Sequence, residues 1–118
     1  RCNELTNAKL TEILLLHKKL ESLDLSNCRQ IEDELIEKIL LRTKIHLQHE
    51  KIKEIRERIM PDEETLDLSR SDWVKKKDLN ELNSNRKWRG KTVLVTSELS
   101  KSYLGGRKQH IRVKEGSP

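Results

Sequence analysis

Four cations surround one tryptophan in Arg86-Lys87-Trp88-Arg89-Gly90-Lys91, the sharpest chemical signal in this chain. Arginine and lysine supply charge for phosphate or carboxylate, and an indole supplies stacking area or an apolar anchor. The segment is therefore a candidate for docking in an acidic protein groove or for contacting nucleic acid. The surrounding charge is one-sided. From Arg86 to Pro118 nine Lys or Arg stand against Glu98 and Glu115, a net of +7 that leaves residues 1–85 at −2 of the chain's +5. A tail of one sign suits phosphate or an acidic surface.

Other reactive side chains form weaker constellations. On a helix His46, His49 and Glu50 would stand at i, i+3 and i+4, within reach of one metal ion. No further ligand completes that set and HExxH is absent, so these residues are expected to be polar groups on a solvated face, with no metal. Cys2 and Cys28 are far apart and form no CxxC pair, which predicts two free thiols in a reducing compartment, with a single disulfide as the minor alternative. The chain has no Gly-rich phosphate loop, no GxSxG elbow and no cysteine in a recognisable histidine context. The expectation is a protein that is not an enzyme, with no catalytic residues, no cofactor and no small-molecule substrate.

The elements that would hold these groups are read from hydrophobic spacing. Between Ile31 and Ile59 there is no glycine or proline, and Ile45, Ile52 and Ile59 recur seven apart with Leu41 and Ile55 on intermediate turns. That stripe predicts a helix of roughly 45 Å, too long to bury its apolar face alone. A first helix starting near Asn3 or Thr6 would carry Leu10, Ile13, Leu14, Leu16, Leu20 and Leu23 on one face. Asn27 as N-cap, with Gln30 three residues on, predicts the start of the second helix. A tight turn there folds the two into an antiparallel hairpin, and a continuous helix gives a coiled coil instead. Pro61 sets the helix end near Met60.

Beyond Pro61, Ser71 reads as the N-cap of a short third helix. Thr92–Thr96 and the alternating Gln109–Val113 read as strands, with Gly105-Gly106 turning between them. Composition is core-poor, at 33% hydrophobic and 38% charged with phenylalanine absent, against about 45–50% and about 25% in ordinary domains. No segment approaches the roughly 18 apolar residues of a membrane span, and Arg1-Cys2-Asn3 lacks the apolar run of a signal peptide.

The expected fold is mainly α: a long helical hairpin or coiled coil over 1–60, a linker with a short helix over 61–85, and a basic, partly extended arm over 86–118. The expected function is a non-catalytic scaffold or interaction subunit of a larger, intracellular and nuclear, chromatin-associated complex. Its partners would be one or more helical protein subunits, in homo- or hetero-oligomers, and no membrane. Leu41, Ile45, Ile52, Ile55 and Ile59 would form the partner-helix interface, and Arg86, Lys87, Trp88, Arg89 and Lys91 the docking arm. The alternative is a DNA- or RNA-binding module that dimerises through its helices and contacts phosphate through the arm.

Overall fold

The computed structural model describes residues 4–42, 45–103 and 109–116. Among them, five short helices alternate with five short strands in the order α1 (Asn7–Leu16), β1 (Ser22–Asp24), α2 (Asp33–Arg42), β2 (His46–Gln48), α3 (Ile52–Ile59), β3 (Thr65–Asp67), α4 (Lys76–Ser84), β4 (Thr92–Val95), α5 (Ser97–Ser102) and β5 (Arg112–Glu115). This is an α/β fold, and it overturns the expected mainly α chain with its hairpin or coiled coil. Two compact units divide the chain, Arg1–Ile55 and Arg56–Pro118. The first holds a two-stranded parallel sheet, β1-β2, and the second a three-stranded parallel sheet in the order β3-β4-β5.

Neighbouring parallel strands need a crossover between them, and the helices supply it. α2 lies between β1 and β2, α4 between β3 and β4, and α5 between β4 and β5. Three of the five strands bury apolar residues, Leu47 in β2, Leu66 in β3, and Val93 and Val95 in β4, whereas Leu23 in β1 and Val113 in β5 are half-buried. The flanking positions stay on the open side.

The expected long second helix is broken into α2, β2 and α3. Its apolar stripe is real, but His46-Leu47-Gln48 also alternates with period two, and pairing with β1 buries Leu47 in a way one straight helix would not. His49 then ends the strand and starts the next helix: its Nδ1 accepts from the Lys51 N–H at 3.0 Å, and its carbonyl accepts from the Ile52 N–H. α1 is capped by Thr6, the second of the two expected starts, whose hydroxyl accepts from the Lys9 N–H at 3.1 Å. It stops at Leu16, so Leu20 and Leu23 leave the predicted helical face for a loop and a strand.

Asn27 is not an N-cap. It takes a left-handed conformation, φ +66°, in the turn after β1, a geometry asparagine tolerates better than most residues. Ser71 likewise sits, buried, in a turn, and the third helix begins later, at Lys76, where the Asp78 carboxylate accepts from the Lys75 N–H at 2.8 Å. The expected arm is not an arm: β4 is the central strand of the second sheet, and β5 closes one side of it. The predicted Gly105-Gly106 turn lies outside the described residues.

Two turns are built alike. Leu23-Asp24-Leu25-Ser26 and Leu66-Asp67-Leu68-Ser69 both leave a strand through an aspartate whose Oδ1 accepts from the serine N–H, at 2.9 and 3.0 Å. In both, the second leucine's N–H bonds to the neighbouring strand, Leu25 to Gln48 and Leu68 to Leu94. Its carbonyl then accepts from the residue three further on, Cys28 or Ser71, and Ile31 and Val74 repeat that step. These closing positions are buried in both copies. The repeat at Leu23/Leu66 and Leu25/Leu68 is an internal duplication of a strand–turn–helix unit.

Candidate interaction surface

Because side chains alternate along a strand, register decides which residues share the open side of each sheet. In the first unit Ser22 pairs with His46 and Asp24 with Gln48, and all four are exposed. In the second unit two rows cross three strands: Thr65–Thr92–Arg112 and Asp67–Leu94–Lys114. Adjacent strands lie about 4.8 Å apart, so each row spans about 10 Å, the first polar throughout and the second interrupted by Leu94. Arg112 and Lys114 are exposed at one end of the rows, and Asp67, half-buried, stands at the other. The Asp67 carboxylate is already bound by the Ser69 hydroxyl at 2.6 Å.

The basic segment is folded, not trailing. Arg86–Trp88 forms a 3₁₀ turn in which the Asn85 Oδ1 accepts from the Lys87 N–H at 2.9 Å. Trp88 is 5% exposed, so its indole is part of the chain's own core instead of an offered anchor, and the Lys87 Nζ stands 5.0 Å over its ring. Gly90 turns the chain into β4 at φ +80°, a region costly to residues with a Cβ. The Gly90 N–H donates to the His110 carbonyl at 2.6 Å and the Arg112 N–H to the Lys91 carbonyl at 2.9 Å. Asn83 secures the same junction, its Oδ1 accepting from the N–H groups of His110 and Ile111 at 2.6 and 3.1 Å. Residues some twenty apart in sequence are thus joined: Arg86, Lys87 and Arg89 are exposed on one segment, Arg112 and Lys114 on the other. Lys91 turns back, its ammonium donating to the Glu63 carbonyl and lying 3.9 Å from the Glu64 carboxylate.

The expected partner-helix residues are distributed over three elements. Leu41 lies in α2, Ile45 before β2, and Ile52, Ile55 and Ile59 in α3. Leu41, Ile55 and Ile59 are at most 1% exposed, and Ile45 and Ile52 are half-buried, so no continuous apolar seam faces outward.

His46, His49 and Glu50 do not share a helix face. His46 is on the open side of β2, whereas the His49 side chain is 2% exposed and held at both nitrogens, Nδ1 by the Lys51 N–H and Nε2 by the Cys28 carbonyl at 3.2 Å. With Nδ1 accepting, Nε2 carries the proton and donates. Glu50 accepts from the Asn27 N–H at 2.6 Å, which holds its carboxyl below the usual carboxylate range. The Ser26 hydroxyl and N–H do the same to Asp24. Among the described residues no three His, Cys, Asp or Glu side chains converge as a metal site.

Cys28 is fully buried and disulfide-bonded, which corrects the expectation of a free thiol there. Cys2 lies outside the described residues. No described helix is long and apolar enough to cross a membrane.

The open strand faces escaped the sequence reading, although their signal was present. Leucines at Leu20, Leu23 and Leu25 with Cys28 follow an L-x-x-L-x-L-x-x-C spacing, and Leu66-x-Leu68-x-x-Ser71 echoes it. Compared with family models, curated proteins and solved structures, the chain matches none.

Proposed function

We propose that this protein is a non-catalytic interaction module that binds a partner protein through the open face of a parallel sheet. The observation that carries the reading is the duplicated strand–turn–helix unit, which in each unit by itself places alternate strand residues in register on the open face of that unit's own sheet. The leucine spacing is that of leucine-rich repeats, and stacked repeats of this kind present extended binding surfaces in place of a closed pocket. Assembly through a coiled-coil seam is not part of this proposal, since that seam is interrupted by β2.

Cross-linking the full chain in its native extract and identifying what it captures supplies a partner. The affinity of that purified partner is then measured for the parent and for Arg112→Glu/Lys114→Glu. Loss of about tenfold or more in a variant that melts like the parent supports the face as the contact. Unchanged affinity, with His46→Glu/Gln48→Glu also silent, overturns it.

A second reading is favoured by one observation, the joining of Arg86–Arg89 to Arg112 and Lys114 through the Gly90–His110 and Lys91–Arg112 bonds. Here the basic surface contacts DNA or RNA phosphate, and log affinity should fall linearly with log salt, with a slope reduced by about three when Arg86, Lys87 and Arg89 are neutralised together. An intracellular, nuclear location rests on this basic cluster alone. The disulfide at Cys28 favours an oxidising compartment over it.

A further inference from the structure

In the first unit, a cavity of about 560 Å³ opens between α1 and α2; its lining holds none of the open strand-face residues, although Glu21 and Ile45 directly precede β1 and β2. Leu14 from α1, Leu20 from the following loop, and Leu35 and Ile39 from α2 form its walls, with Ile45 completing them. Leu15, also on the lining, is 67% exposed. An unfilled apolar hollow beside an exposed leucine leaves both without the burial that holds the rest of this core together.

The charge around the hollow is predominantly positive. Lys18, Lys19 and Lys38 line it against a single carboxylate, Glu21. Lys38 is 3.0 Å from Glu34, so the complementarity rests on Lys18 and Lys19, both exposed in the loop that follows α1.

We propose that this cavity binds a single-chain anionic amphiphile of the fatty-acid class, the alkyl chain among the leucines and the carboxylate toward Lys18 and Lys19. The volume lies within the roughly 300–1,000 Å³ of small-molecule sites, and an apolar lining with a few polar groups is their usual composition. A partner helix laid in a groove would instead need apolar anchors along an extended strip. Here the apolar side chains come from two helices, a loop and the approach to a strand, and they line a half-open hollow in place of a continuous strip. The proposal is independent of the strand-face reading.

The test is displacement of the fluorescent fatty acid cis-parinaric acid from this 118-residue chain. Laurate below its micellar concentration should displace it with 1:1 stoichiometry. Dodecylamine, with the same tail and opposite charge, should bind about tenfold more weakly, and Lys18→Glu/Lys19→Glu should lose about tenfold for laurate, as expected from reversing two exposed charges. Leu14→Trp, filling a half-buried wall position, should abolish binding in a protein whose circular dichroism matches the parent. The proposal is overturned by the absence of saturable laurate binding, by equal binding of dodecylamine, by unchanged binding to a folded Leu14→Trp, or by an acidic amphipathic peptide that binds the parent and is not displaced by laurate.

Discussion

A Cβ at position 116 would stand 2.5 Å from the Ser69 Cβ and 3.1 Å from the Leu94 Cβ, so β5 can end beside the Leu68–Ser69 turn only with glycine there. Gly116→Ala should lose about 1–3 kcal/mol by overpacking, measured by urea denaturation. Ser69→Gly in the same chain should recover part of the loss, because it removes the nearest opposing carbon. A second residue-scale contrast separates core from surface within the basic segment. Trp88→Ala should cost about 3 kcal/mol or more because the indole is buried, whereas Lys87→Ala, at an exposed position, should stay below about 1 kcal/mol. Equal effects on the denaturation midpoint would mean that the ring does not fill the core. The tryptophan's place in that segment was evident from its cationic neighbours; its burial was not, because a buried indole and an offered one have the same local sequence.

The turn after β1 is the element on which acid sensitivity should concentrate. Asp24 receives the Ser26 hydroxyl and N–H, and Glu50 receives the Asn27 N–H, so both carboxyls are held below their ordinary range in the folded chain. Each folded pKa lies below its unfolded value, so the folded state binds fewer protons in that window. The stabilisation is therefore complete above the unfolded values and is lost as pH falls through the folded ones. Asp24→Asn/Glu50→Gln should lower stability at neutral pH and flatten its decline in acid, followed by thermal melts from pH 7 to pH 3. An unchanged acid limb would show that these turn contacts do not govern it. The turn was half legible: Asp24-Leu25-Ser26-Asn27 announced a break in helix, but a helix cap and a strand exit draw on the same small polar residues.

At the scale of the molecule, the disulfide at Cys28 is the covalent constraint. The sequence offers it one partner within the chain, Cys2. Closing that loop of about 27 residues should stabilise the chain by roughly 3–4 kcal/mol, so a reducing agent should lower the denaturation midpoint of a protein that runs as a monomer on a non-reducing gel. A reducible dimer band would place the bond between two copies instead. The bond also bears on how so thin an apolar complement supports an α/β fold, since the chain draws on short elements and shared turns in place of large aromatics.

Sequence by itself determined part of the punctuation, while its caps at Asn27 and Ser71 were not used. Thr6 starts a helix, Pro61 follows the end of another, and the β-branched run Thr92–Val95 is a strand. Each of these rests on backbone chemistry confined to a few neighbouring residues. The isoleucines at 45, 52 and 59 show where that information stops. Their spacing of seven fits a helical stripe, yet Ile45 precedes a strand and the other two lie in a separate eight-residue helix. Only the tertiary structure decided this, because Leu47 gains burial through pairing between β1 and β2, whose partners lie 24 residues apart. The same applies to the surface. Arg112 and Lys114 share rows with Thr65 and Asp67 through two successive strand pairings, and Arg89 lies near Arg112 through backbone bonds across a connection of some twenty residues. Register over such distances is set by which apolar faces can be buried together, a property of the assembled sheet and not of any one segment.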